Sequence, residues 1–130
     1  MGVVNLLITG SNGLLGQKLV ADCLTQGIRF SAISSGDNRN PSCPEIKYAS
    51  IDITDFTLVK KFIQENTFSH IIHTAAMTNV DACELNPSAC YAVNHLASQH
   101  LFELAKANNI HFTLLSTDFV FDGKIEKVNF

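Results

Sequence analysis

The sequence predicts an α/β fold, a doubly wound parallel sheet that stops after about five strands. Short apolar runs of strand length alternate with amphipathic helical stretches along the chain, the pattern of successive βαβ units. A glycine-rich turn joins the first such strand to the first helix. The 130 residues, 46% hydrophobic and 16% charged, have a globular composition and the material for one buried core. Right-handed crossovers then place every strand in one parallel sheet with helices on both faces.

Val3 to Thr9 is a near-continuous apolar run, suited to a strand buried on both faces. It ends at Gly10, after which Leu15, Leu19, Cys23 and Leu24 recur at helical spacing until Gly27, a helix stop. Phe30 to Ser34 forms the second strand, and Ser35 to Pro41 is turn and loop chemistry throughout. Tyr48 to Ile51 is a short third strand. Thr54 or Asp55 caps a helix whose Leu58, Val59, Phe62 and Ile63 wrap one face. His70 to Ala76 is the fourth strand. A helix from Pro87 to Lys106 presents Val93, Leu96, Ala97, Leu101, Leu104 and Ala105 on one side, and Phe112 to Leu115 is the fifth strand.

The turn Thr9-Gly10-Ser11-Asn12-Gly13-Leu14-Leu15-Gly16 lies between a strand and a helix, the context in which glycines at this spacing acquire a mechanism. Gly10 permits the tight turn, Gly13 lets backbone N–H groups approach a pyrophosphate, and Gly16 lets the helix pack closely on the strand. The helix amino terminus then faces the anion. The expectation is one Rossmann-type NAD(P)-binding domain over residues 1–130, incomplete at its carboxyl side. An NAD-preferring site carries an acidic residue at the end of the second strand. Ser34 and Ser35 stand there, with Arg39 a few residues on. That favours the 2′-phosphate of NADPH, while Asp37 keeps NADH open as the alternative.

The glycine spacing, followed by Asp52-Ile53 after the third strand, resembles the extended short-chain dehydrogenase/reductase family. Ala75-Ala76-Met77-Thr78-Asn79-Val80-Asp81-Ala82-Cys83-Glu84 and Ser116-Thr117-Asp118-Phe119-Val120-Phe121-Asp122-Gly123, with Asn94 on the intervening helix, resemble more narrowly its dTDP-4-dehydrorhamnose reductase branch. The resemblance runs from Leu6 to Gly123. It implies NADPH-dependent reduction of a nucleotide-linked 4-keto sugar, dTDP-4-dehydro-6-deoxy-L-mannose, to dTDP-L-rhamnose. It places Asn12 to Leu15 on the pyrophosphate, the Asp52 carboxylate and Ile53 at the adenine, and Ala75, Ala76 and Met77 beside the nicotinamide ribose. Asn94 belongs to the same cofactor set. Thr117 matches the hydroxyl that hydrogen-bonds the substrate carbonyl, and Thr78 and Asp118 fall on the substrate side. For Asp52 the residues leave a second reading open, a carboxylate that caps the following helix.

The family's proton donor is the Tyr of a Tyr-x-x-x-Lys pair, and this chain has none: its tyrosines are Tyr48 and Tyr91, and Tyr91 is followed at that spacing by His95. Tyr91 and His95 read as helix surface. The chain is therefore expected to be the cofactor-binding portion of a longer reductase, inactive alone, with apolar surface left for later elements to cover. Two alternatives stand beside it. One is a regulatory module without chemistry, similar to the beta subunit of methionine adenosyltransferase; the other is a sugar-nucleotide epimerase or dehydratase of the same superfamily.

Nine basic against twelve acidic residues give a net charge of -3, without the basic excess that nucleic acid or an anionic membrane demands. No apolar run reaches the length of a membrane span. Cys23, Cys43, Cys83 and Cys90 form no CxxC pair and read as small hydrophobes of a reducing compartment, so the expected location is the cytoplasm. His70 and His73 point to opposite faces of their strand and cannot share a metal, and no residue set matches a metal site. His95, His100 and His111 read as surface or helix-end residues. Asp81 and Glu84 are candidates for the sugar-binding side or the next helix entry. A homodimer of the full-length protein is left open.

Overall fold

The computed structural model describes residues 4–74, 85, 87–88 and 95–115. Its strands are β1 (Asn5–Thr9), β2 (Arg29–Ser34), β3 (Tyr48–Ser50), β4 (His70–His73) and β5 (His111–Leu114). Helix α1 (Leu14–Gln26) follows β1, α2 (Phe56–Glu65) follows β3, and α3 (Ala97–Ala107) precedes β5. A 3₁₀ turn, Glu45–Lys47, leads into β3. The sheet order is β3-β2-β1-β4-β5, and every neighbouring pair is parallel. The chain thus builds outward from β1 to β3, then returns to place β4 on the other side of β1. That reversal opens a crevice at the carboxyl ends of β1 and β4, where ligands of such sheets bind.

Strand alternation sorts the side chains into two layers. Leu7, Ile33 and Ile71 pack with Val59 and Ile63 of α2 and with Ala97, Leu101, Leu104 and Ala105 of α3. On the opposite face Ile8, Phe30 and Ala32 pack with Val20 and Cys23 of α1 and with Cys43. Helices on both faces make the sheet doubly wound, the Rossmann-type arrangement expected. Cys23 and Cys43 are buried free thiols of this second cluster. Burial pushes both up in pKa, helped by Asp22 at Cys23 and by Glu45 at Cys43.

Several boundaries and faces differ from the sequence reading. The inner face of α1 is Gly16, Val20 and Cys23; Leu15 and Leu24 are exposed, because Gly16 must lie against the strand turn and that sets the helix rotation. Leu58 is likewise exposed, while Val59 and Ile63 face inward on α2. The fourth strand ends at His73, and Ala75 and Ala76 of the expected strand lie outside the described residues. Of the helix expected from Pro87, the described continuous part is α3. Among the described residues, no helix is long and apolar enough to cross a membrane.

Between the two candidate caps of α2, the chain uses Asp55, whose Oδ1 accepts the Leu58 N–H at 3.2 Å. Asp52 serves the turn before it, its Oδ1 accepting from the Thr54 N–H at 2.9 Å and hydroxyl at 2.7 Å. Asp55→Ala is expected to cost about 1 kcal/mol, read as a lower urea midpoint at unchanged m-value.

Candidate functional site

The phosphate loop is shaped by backbone contacts that leave no room for side chains. Gly10 has φ 72°, a left-handed conformation that glycine adopts without strain. Its N–H and that of Ser11 both donate to the Ile33 carbonyl, at 2.9 and 3.3 Å, tying the loop to the end of β2. A Cβ on Gly16 would overlap the Gly10 carbonyl oxygen and stand 2.8 Å from Gly10 C and Ser11 Cα. Helix and loop therefore touch through bare backbone. Gly13 is the N-cap of α1, with no side-chain cap, and the first turn contains no acidic residue. Among the described residues, the N–H groups of Leu14, Leu15 and Gly16 have no acceptor, so the positive end of α1 is open to an anion. The hydroxyl of Ser11 is fully buried in the loop without a hydrogen-bond partner.

Asn12, expected at the pyrophosphate, has its polar groups engaged within the protein. Its N–H donates to Ser34 Oγ at 3.3 Å, its Nδ2 to the Asp37 carbonyl at 2.9 Å, and its Oδ1 accepts the Arg39 N–H at 2.7 Å. Its carbonyl accepts from Gln17 Nε2 at 2.9 Å. The segment after β2 is thus an ordered wall beside the phosphate loop. Tyr48, whose hydroxyl lies 2.6 Å from the Gly36 carbonyl and 3.0 Å from that of Ser34, closes the wall from β3. Burial raises the Tyr48 pKa, while Asn12 and Arg39 oppose the rise.

At the crevice floor lies a group the sequence reading treated as ordinary. His73 is 1% exposed. Its Nδ1 is 2.7 Å from Thr9 Oγ1 on β1 and its Nε2 is 2.8 Å from Ser98 Oγ on α3. Burial lowers its pKa to about 4, so the ring is neutral near pH 7. Thr9 Oγ1 also accepts the Thr74 N–H at 3.0 Å, and the Thr74 hydroxyl donates to the Thr9 carbonyl. These bonds zip β1 to β4 where their carboxyl ends define the crevice.

The remaining candidates divide clearly. Gly10 to Gly16, Ser34 and Arg39 lie together at the carboxyl ends of β1 and β2. Ile53 is 6% exposed and belongs to the core, so its side chain is not available to an adenine. Ala75, Ala76, Met77, Thr78, Asn94, Thr117 and Asp118 lie outside the described residues, as do Asp81 and Glu84. His70, stacked on His111 with ring centroids 4.9 Å apart, pairs in register with Leu6, whereas His73 pairs with Thr9; the two histidines do occupy opposite faces. His100 is not a plain surface residue. Its ring stacks on Phe56 at 4.2 Å, its Nδ1 is buried without a hydrogen-bond partner, and burial plus the Lys60 charge lower its pKa.

Comparison with known proteins agrees with this geometry. Residues 4–129 match the family model described as the RmlD substrate binding domain. A probable low-salt glycan biosynthesis reductase of Haloferax volcanii is 36% identical over 121 residues, covering 92% of this chain and 39% of the relative. A dTDP-4-dehydrorhamnose reductase of Aggregatibacter actinomycetemcomitans is 35% identical over 121 residues, 93% of this chain and 37% of the relative. A methionine adenosyltransferase 2 subunit beta of Xenopus laevis is 29% identical, over 90% of this chain and 33% of that protein. The crystal structure of a hypothetical dTDP-4-dehydrorhamnose reductase from Sulfolobus tokodaii superposes with a TM-score of 0.74 at 30% identity, over 97% of this chain and 44% of that one. The chain spans 33–44% of the length of these relatives. With the parallel sheet, the glycine cradle and a family match over nearly all its residues, the chain belongs to the RmlD substrate-binding-domain family, together with dTDP-4-dehydrorhamnose reductases.

Proposed function

We propose that this chain is the NADPH-binding portion of a cytoplasmic reductase that converts dTDP-4-dehydro-6-deoxy-L-mannose to dTDP-L-rhamnose. The observation that carries the reading is the uncapped first turn of α1, held by Gly10 and Gly16 at the crevice between β1 and β4. Such a turn offers backbone N–H groups to a diphosphate with no side chain in the way. Arg39 serves the ribose 2′-phosphate, and Asp52 with the backbone of Ile53 serves the adenine edge. Ala75, Ala76, Met77 and Asn94 shape the nicotinamide end. When bound, NADPH supplies the hydride that the keto carbon receives. Thr117 donates a hydrogen bond to the keto oxygen, and Thr78 and Asp118 hold the sugar nucleotide.

Protonating the resulting alkoxide requires an acid that this chain lacks. Tyr48 is on the wrong flank, since β3 lies three strands from β4, and burial raises its pKa. The proton donor is therefore assigned to a Tyr-x-x-x-Lys pair elsewhere in the full-length reductase. The test uses the full-length protein, mixed with NADPH and the 4-keto sugar nucleotide. NADPH absorbance is expected to fall and a rhamnosyl nucleotide to form, while residues 1–130 alone bind NADPH without turnover. Full-length protein that binds NADPH but has no Tyr-x-x-x-Lys pair and no turnover would move the assignment to a regulatory module, the reading favoured by the likeness to the methionine adenosyltransferase subunit. Failure to bind either NADPH or NADH would remove both readings.

A further inference from the structure

We infer that Asn12 is a positioning residue for cofactor selectivity: by clasping the backbone on both sides of Asn38, it fixes where Arg39 stands beside the adenosine ribose. The inference rests on the proposed binding of a nicotinamide dinucleotide and adds a residue of the phosphate loop to the determinants of its 2′ end. A carboxamide offers an acceptor oxygen and a donor NH₂ side by side in the same plane. Asn12 uses them on the Arg39 N–H at 2.7 Å and the Asp37 carbonyl at 2.9 Å, much as a neighbouring strand would pair with residues two apart.

The clasp is reinforced from both sides. Asn38 donates from Nδ2 to the Cys43 carbonyl at 2.8 Å and to Glu45 Oε1 at 3.1 Å, and its Oδ1 accepts the Asn40 N–H at 3.1 Å. Asn40, 3% exposed, donates from Nδ2 to the Ser11 carbonyl at 3.2 Å and accepts the Ser42 N–H at 3.0 Å. Arg39 is therefore flanked by two anchored asparagines and held at its own nitrogen by a third. Its side chain, in contrast, is exposed and has no ion pair among the described residues. Its Nη1 lies 3.6 Å from where a Cβ of Gly36 would be, so the guanidinium rests over the turn that Tyr48 closes. A fixed backbone under an uncommitted guanidinium is a preorganised phosphate receptor. Asp37 is held by its carbonyl in the same clasp, which fixes the acidic alternative as well.

The experiment measures Kd for NADPH and for NADH in the full-length protein and its Asn12→Ala, Arg39→Ala and double variants, with the milder Asn12→Ser in parallel. The readout is the ratio of the two Kd values, which a general loss of loop structure leaves alone. In both Asn12→Ala and Arg39→Ala the preference for NADPH is expected to fall about tenfold, and the double variant to fall no further than Arg39→Ala, the non-additivity of residues acting as one unit. Asn12→Ser should show a smaller change in the same direction. Equal weakening of both cofactors in Asn12→Ala, or additive losses in the double variant, would overturn the inference while leaving the dinucleotide site standing. Wild-type protein that binds neither cofactor would overturn the underlying reading instead.

Discussion

Gly16→Ala is expected to lower stability by about 3 kcal/mol and, on the proposed function, to abolish measurable NADPH binding, the largest single-residue effect the glycine loop offers. The methyl group would overlap the Gly10 carbonyl oxygen and crowd Gly10 C and Ser11 Cα. None of these atoms belongs to a flexible side chain, so relief requires α1 to move away from β1. That movement would open the cluster formed by Val20, Cys23 and Ile8 and rotate the three open N–H groups away from the crevice. Gly13→Ala is the internal control. Its Cβ would meet only the Gly10 carbonyl oxygen, at 3.3 Å, from an extended conformation that alanine adopts freely. Its expected cost is about 1 kcal/mol. Urea unfolding of the two variants and calorimetric titration with NADPH measure the contrast. Similar losses in both would mean that Gly16 is not the packing contact on which the loop depends.

Much of the fold was legible because two periodicities and a few punctuating residues agree. The buried strands β1 and β4 and the helix stop at Gly27, which is left-handed at φ 68°, follow from local pattern. So does the glycine loop, whose strand-turn-helix context gives each glycine a mechanical task. Side-chain partnership across the sheet was not legible. His73 reads as one more strand residue until β1 and α3 bring Thr9 and Ser98 to its two nitrogens from 64 and 25 residues away. The segment 35–41 reads as polar loop because its asparagines favour turns; that the same asparagines lace it to the phosphate loop depends on Asn12, more than 20 residues earlier. The face of α1 came out rotated for a related reason. Leucine content marks an amphipathic helix, but the closest contact, Gly16 on Gly10, decides which side turns inward.

The second large effect is on pH dependence. His73 has a folded pKa of about 4 against 6.5 for a solvated imidazole, through burial. Between these values the unfolded chain binds a proton that the folded chain excludes, so unfolding free energy rises with pH across that window. The contribution is complete above about pH 6.5 and is lost as the pH falls through the folded value, amounting to about 3 kcal/mol. His100 is shifted in the same direction, so the wild-type curve alone does not isolate His73. The difference between wild type and His73→Gln does. At pH 7 the variant should be less stable by about 2 kcal/mol, since the glutamine cannot meet both Thr9 and Ser98 as the ring does. On acidification towards pH 4 that gap should close and then reverse, because the variant has no ring to protonate. Urea midpoints taken at intervals from pH 7 to pH 4 measure it, and curves that stay parallel would show that His73 does not carry the acid limb. The consequence for function follows from the same bonds. Thr9 Oγ1, one of the two hydroxyls that hold the neutral ring, also receives the Thr74 N–H, so on the proposed function NADPH affinity in the full-length protein should hold from pH 7 down to about pH 5 and decline only as the pH approaches the folded value of about 4, where the zipped ends of β1 and β4 lose their neutral partner.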